Sequence, residues 1–401
     1  MMEPTVGTSD ASSLRMRTMR ALLLLLLTAC DTRLSGYRIT APVPADPDGF
    51  SNALYQSTQV KLVPGHQVEL VNNGAIFDRL EEQLGQAKRS INIVLFIWRP
   101  TGPSARIVEV LSARAQAGVT CRILVDALAS GEEFEKEVKP GLVAAGCDVR
   151  IFRPLAKGAT DQRNHRKIVV IDGKVGITGG FGIEDVWLGN GRKPKEWRDS
   201  NVIVRGPAVN EMQQAFADNW QEVDGPLLPE TDFPPQEAKG STRAGFVSST
   251  ASAHLTKAER LSQLLIAAAT KRVWIANAYF VPSPGMIELL VEKRQQGVDV
   301  RIMAASEQTD HPEILREQRA TYPKLLEGGV RIWEYQPALL HSKTMLVDDH
   351  LSVVGSINLD RLSLAALEEG ALVMSDPRVV AELVKTWDDD LTQCLEKPRP
   401  Q

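Results

Sequence analysis

Two short stretches carry the residue types that phosphate chemistry needs. HRKIVVIDG spans 165–173 and HSKTMLVDD spans 341–349. Each places a histidine two residues before a lysine, with four residues between that lysine and an aspartate. The chain has six histidines, so this repeat uses a third of them. On a strand, His165 and Lys167 share one face, as do His341 and Lys343. A neutral imidazole can attack phosphorus, and a protonated one can donate to a leaving alcohol. An ammonium neutralises charge developing on the non-bridging oxygens. Displacement at a phosphodiester needs a nucleophile on one side and a proton donor on the other. Two copies placed face to face supply both. The chemistry calls for no metal and no other cofactor, and the lysines would repel a cation.

The residues around each copy extend the pattern. Asp172-Gly173 is a two-residue hairpin signal. A turn there sets Gly180 opposite His165, and a turn at Asp348-Asp349 sets Ser356 opposite His341. Gly-Gly (179–180) and Gly-Ser (355–356) thus fall beside the histidines. Small residues there let backbone amides approach a phosphate. Asp172 and Asp348 complete the motif, and as turn residues they are suited to local hydrogen bonds. The imidazoles need partners that separate their roles. Asp199 and Glu369, each about thirty residues after a histidine, are the candidates. His66, His254, His311 and His350 lack this context.

The elements that must position these residues are themselves duplicated. SINIVLFIW (90–98) and VWIANAYF (273–280) read as strands, each preceded by a helical stretch. Each is followed by a helix, a glycine and another strand: AGVTCRILVD (117–126) and QGVDVRIMAA (296–305). GCDVRIFRP (146–154) and GGVRIWEYQP (328–337) repeat the step from glycine into a strand. The expected fold is α/β: two similar lobes with one active site at their interface. The lobes are placed at 56–224 and 245–401, with a Pro/Gly/charge-rich linker at 225–244.

The N-terminus is built differently. RMRTMR (15–20), ALLLLLL (21–27) and TAC (28–30) have the layout of a secretory signal. The apolar run is far short of the roughly 20 residues that span a bilayer. LTAC is similar to a bacterial lipobox, which implies lipidation at Cys30 and a cell-envelope location, with Asp31 pointing to the periplasmic face of the inner membrane. A plain secretory signal or a short buried helix are the other readings. Residues 31–55 read as a Pro/Asp-rich, solvated tether. Cys121 and Cys147 read as separate buried thiols, and no spacing resembles a zinc site. The net charge of −4 argues against a protein that grips long nucleic acid.

The chain resembles the phospholipase D superfamily, whose mark is the duplicated HxKxxxxD motif, and within it the bacterial cardiolipin synthases. RNHRKIVVIDG (163–173), EWRDSNVIVRGPAV (196–209), AYFVP (278–282), LLHSKTMLVDD (339–349) and GSINLDRLSL (355–364) carry the resemblance. It implies a covalent phosphohistidine, with catalytic roles for His165, Lys167, His341 and Lys343 and orienting roles for Asp199 and Glu369. Asp172 and Asp348 join the catalytic set as motif members. Asn358 matches the family's phosphate-site asparagine, beside Gly180 and Ser356. His165 is expected to attack and His341 to serve as acid. The sequence departs from the family pattern at Gly182, where an Asn is usual, and at Leu362 and Leu367, where Arg and Asn are frequent.

The resemblance implies a phosphatidyltransferase that joins two phosphatidylglycerols into cardiolipin plus glycerol at a membrane surface. A hydrolytic phospholipase D shares its first half-reaction. A nuclease and a non-catalytic lipid-binding protein are the remaining alternatives. No nucleic-acid partner is expected, and the oligomeric state is not legible in the sequence.

Overall fold

A computed structural model describes residues 36–154, 162–252 and 254–399. The expected secretory signal and the expected lipidation site Cys30 lie outside the described residues. No described helix is long and apolar enough to cross a membrane.

The first lobe contributes β1 (Val63–Asn72), β2 (Ser90–Leu95), β3 (Thr120–Asp126), β4 (Asp148–Phe152), β5 (Ile168–Ile171), β6 (Val175–Gly179), β7 (Trp197–Arg198) and β8 (Ser200–Arg205). The second contributes β9 (Thr242–Ser249), β10 (Arg272–Asn277), β11 (Asp299–Ala305), β12 (Arg331–Tyr335), β13 (Leu339–Leu340), β14 (Lys343–Val347), β15 (Leu351–Gly355), β16 (Glu369–Ser375) and β17 (Cys394–Glu396). In the first lobe the order is β1-β8-β6-β5-β2-β3-β4; in the second it is β9-β16-β15-β14-β10-β11-β12, with β17 added at the edge. The two orders match strand for strand. They meet at β1 and β9, which pair antiparallel only where both begin.

Three apolar cores hold this arrangement. One lies outside the first sheet, around Phe77, Ile93 and Trp98. One lies outside the second, around Leu261, Ile275 and Ile302. The third lies between the sheets. There the helices α1 (Ala208–Glu222) and α2 (Pro377–Leu391) bury Phe216, Trp220 and Trp387 among strand residues of both lobes. This shared middle core forces the lobes into one body. Asp376 starts the second of these helices by accepting from Arg378 N at 2.8 Å, with Pro377 at its first position.

The structure corrects two expectations. Residues 36–58, expected largely as a solvated tether, pack on the second lobe, and helix Pro47–Thr58 buries Phe50 and Leu54 there. Asp46 caps it by accepting from Gly49 N at 2.9 Å. The 225–244 linker is likewise laid on protein: Asp232 is buried and pairs with Arg122 at 2.8 Å. Cys121 and Cys147 form a disulfide, with Cα atoms 4.7 Å apart. The parallel register that sets Arg122 against Asp148 brings the two preceding cysteines side by side. That neighbourhood arises from strand order, which a spacing of 26 residues does not disclose.

The motif hairpins also differ by one residue from the two-residue turns expected. Ile171 pairs with Val175 and Val347 with Leu351, so each turn holds three residues. Asp172 and Asp348 take left-handed conformations there, at φ 54° and 51°. The extra residue shifts each ladder by one, so its continuation sets Phe181, not Gly180, against His165. In the second lobe it sets Ile357, not Ser356, against His341.

Candidate active site

Each histidine is held by the other lobe's carboxylate. His165 Nδ1 donates to Glu369 Oε1 at 2.9 Å, with Oε2 at 3.1 Å. His341 Nδ1 donates to Asp199 Oδ2 at 2.7 Å. An ionised carboxylate only accepts, so Nδ1 carries the proton and Nε2 keeps its lone pair.

Backbone pairing dictates the exchange. His165 N donates to Glu368 O at 2.9 Å, and Glu368 N to Arg163 O at 2.9 Å. On the other side β7 pairs in parallel with β13, and His341 N donates to Arg198 O at 2.7 Å. Each motif segment therefore runs beside the segment that bears the other lobe's acid. Buried ion pairs pin both crossings: Arg166 with Glu368 at 2.9 Å, and Arg198 with Asp390 at 2.8 Å.

The lysines complete the cluster. Lys167 Nζ donates to His165 O at 2.7 Å, and Lys343 Nζ donates to His341 O. His165, His341 and both lysines are buried, with Asp199 and Glu369 fully so. Burial lowers His165 to about 4, with Lys167 also lowering it, against the opposing pull of Glu369. Burial and Lys343 lower His341 to about 3, against Asp199. Burial pushes Lys343 down to about 8 and Lys167 well below the ordinary lysine range. Lys343 acts on His165 and Lys167 on His341, so the two motifs form one electrostatic unit. Burial thus favours the neutral form of both imidazoles in the free site. A phosphodiester brought to the lysines adds the negative charge that lets one imidazole take a proton.

The expected phosphate-site residues divide. Ser356 Oγ donates to Glu369, as does Ser363 Oγ. Ser356 therefore steadies the acid rather than the phosphate. Gly180 serves the same end by absence: a Cβ there would lie 2.4 Å from Asp199 Oδ1. Asn358 is buried with its Oδ1 unpartnered, so it can accept a hydrogen bond from a ligand's hydroxyl rather than donate one to phosphate.

Asp172 and Asp348, grouped with the catalytic set, sit at the far ends of their strands. Asp172 accepts from the amides of Lys88, Arg89 and Ser90 at 2.9, 2.7 and 3.0 Å. Asp348 accepts from those of Thr270, Lys271 and Arg272 at 3.1, 2.7 and 3.0 Å. Each carboxylate fastens the loop that feeds a central strand. Neither reaches the histidines, seven residues and roughly 23 Å away along an extended chain.

An aromatic surround was not read from the sequence. Trp197 and Trp187 lie 4.5 and 5.4 Å from the His341 ring, and Phe96 lies 4.9 Å from His165. Trp187 Nε1 donates to Asp199 Oδ2 at 2.8 Å. It also explains Gly182: a Cβ there would lie 2.9 Å from the Trp187 ring and 3.0 Å from Ile97. The indole fills the space an asparagine would need. The departure at Gly182 was the signal available in the sequence.

The family model described as "Cardiolipin synthase, PLD-like domain" matches residues 80–220 and 263–391. The chain belongs to the phospholipase D-like cardiolipin synthase family. Both matched segments of this family member contain one motif and one orienting carboxylate. It is 31% identical to cardiolipin synthase 2 of Bacillus anthracis over 82% of its own length and 65% of that protein's. It thus spans just under two thirds of that relative. It is 30% identical to the minor cardiolipin synthase ClsB of Bacillus subtilis, over 81% of each chain. The crystal structure of phosphatidylserine synthase from Haemophilus influenzae superposes with a TM-score of 0.65 at 16% identity, over 86% of this chain and 92% of that one. That likeness concerns the fold.

Proposed function

We propose that this chain is a phosphatidyltransferase that converts two phosphatidylglycerols into cardiolipin and glycerol. The observation that carries the reading is the crossed pair of histidine–carboxylate contacts, each lobe completing the other's. The Nε2 lone pair of His165 attacks the phosphorus of the first lipid. The P–O bond to the headgroup glycerol breaks, and His341 protonates the departing oxygen. Phosphatidyl-His165 results. His341, now neutral, takes the proton from the terminal hydroxyl of a second phosphatidylglycerol. That oxygen attacks phosphorus and releases His165, closing the cycle with cardiolipin as product. Lys167 and Lys343 hold the non-bridging oxygens throughout, and Asn358 Oδ1 accepts from a lipid hydroxyl.

The assignment of the acid draws support from the rings of Trp187 and Trp197, whose faces and edges border His341. Aromatic faces favour a cation over a neutral ring. The Cys121–Cys147 disulfide accords with an oxidising compartment outside the cytoplasm. It therefore favours an envelope enzyme, and the lipobox-like segment ending at Cys30 adds a lipid anchor to that reading.

The test uses labelled phosphatidylglycerol in mixed micelles without added metal, beside the His165→Ala and His341→Ala variants. Cardiolipin and glycerol, lost in both variants, are the expected products. Phosphatidic acid as the sole lipid product would reassign the chain to hydrolysis. Turnover of single-stranded DNA without turnover of lipid would reassign it to the nucleases.

A further inference from the structure

The first described residues follow a route that the two-lobed fold does not require. β1 begins at the end of the molecule remote from the histidines, so a chain entering directly would arrive there. Instead residues 36–46 run the height of the second lobe. Ala45 O accepts from His350 Nε2 at 2.8 Å, in the remote turn between β14 and β15. Ile39 N donates to Gln263 Oε1 at 2.9 Å, and Gln263 Nε2 donates to Tyr37 O at 2.7 Å. Arg38 pairs with Glu288 and Glu292 on the helix Pro284–Gln295. Tyr37 O lies against Gly285, where a Cβ would be only 2.2 Å away. Gly285 opens that helix, directly after the segment holding Tyr279, whose ring borders Lys343 and His341. The strap thus returns the chain from the remote end to the rim of the active site.

We propose that the strap makes the active-site face the membrane-docking face, its partner a phospholipid bilayer. Four observations support this face over the remote end. The chain that leaves Gly36 carries the apolar run 21–27 and the basic run 15–20. Cys30 is six residues away, a reach of at most about 21 Å. Tyr37 is exposed at the exit point, and an amphipathic ring there suits a membrane interface. Lys193 and Lys195 are exposed on the loop that leads into Trp197, beside His341, where they can meet anionic headgroups. The inference rests on the proposed phospholipid substrate only for the choice of vesicle.

The experiment places a benzophenone amino acid in the full chain at Tyr37 or Lys193 on the rim, and at Lys88 or Asp349 at the remote end. Each protein is irradiated with vesicles of labelled phosphatidylglycerol and phosphatidylethanolamine. Lipid crosslinking is expected at the rim positions at about tenfold the remote level. Equal labelling at both ends, or more at the remote end, overturns the proposal. The readout needs no turnover, so it stands or falls separately from the transferase reading. Gly285→Val supplies a second measurement, because its side chain displaces Tyr37 from the rim. It should lower the rate on vesicles about tenfold while leaving the rate on mixed micelles unchanged. Matched losses on vesicles and micelles, or no loss on either, would count against the strap.

Discussion

The two histidine–carboxylate pairs grow from the same strand pattern and differ in what steadies the acid. Glu369 is held by two hydroxyls, from Ser356 and Ser363. Asp199 is held by an indole N–H and by the Ser200 amide at 2.8 Å. Among the described residues His165 has one aromatic neighbour, Phe96; His341 has Trp187, Trp197 and, more distantly, Tyr279. Duplication alone gives two equivalent imidazoles. The unequal surroundings give one ring a hydroxyl-braced acid and the other an aromatic enclosure. They provide a physical basis for one to attack while the other carries a proton.

Replacing either histidine with alanine should lower cardiolipin formation by about 10³–10⁵-fold. The loss should be unequal with an activated substrate. A phosphatidyl ester of p-nitrophenol needs no protonation to depart, so His341→Ala should release p-nitrophenol in a burst while His165→Ala stays silent. A burst from His165→Ala would exchange the roles.

The carboxylates come next. Asp199→Asn and Glu369→Gln should each cost about 10²–10⁴-fold in kcat, by freeing the ring from its productive tautomer. Because the contacts are crossed, Glu369→Gln should change the NMR titration of His165 more than that of His341, and Asp199→Asn the reverse. The turn aspartates provide the contrast within each motif. Asp172→Ala and Asp348→Ala should lower stability by about 2–4 kcal/mol, since each removes several charge-assisted hydrogen bonds. The kcat of the folded fraction should stay near wild type, as chemical denaturation followed by activity normalised to folded protein can establish.

The groups that brace the two acids should show smaller effects. Trp187→Phe keeps a ring but removes the N–H to Asp199, and should cost about tenfold in kcat. Ser356→Ala should cost less, because Ser363 still donates to Glu369. A separate effect is in substrate affinity. Lys343, lowered to about 8 by burial, is charged below that pH and neutral above it. KM should therefore rise by about tenfold per pH unit above 8, as initial rates between pH 7 and 9.5 can measure.

Much of this molecule was legible because duplication repeats a signal. The strand–helix–strand echo, the two His-x-Lys pairs and the break near 225–244 all stand in the sequence. So did Asp199 and Glu369, although which acid serves which histidine did not. That exchange depends on β7 lying beside β13 and on Glu368 lying beside Asn164, contacts between lobes that no local pattern encodes. The hairpin register slipped for a local reason. Asp-Gly fits a two-residue turn, yet both turns take a third residue while their aspartates reach back to three amides of a neighbouring loop. The disulfide was missed because its partners meet across adjacent parallel strands. Trp187 was missed because a buried tryptophan looks like core until its N–H is followed to Asp199.

The crossed site should form a covalent bond between phosphorus and His165. Rapid acid-free quenching of the enzyme with phosphatidylglycerol labelled at phosphorus, followed by alkaline peptide digestion and mass spectrometry, tests it directly. The crossed mechanism predicts a phosphoramidate, stable in base and labile in acid, on the peptide containing His165, and its absence in His165→Ala. Label on His341, or turnover with no label on either histidine at any quench time, would contradict it.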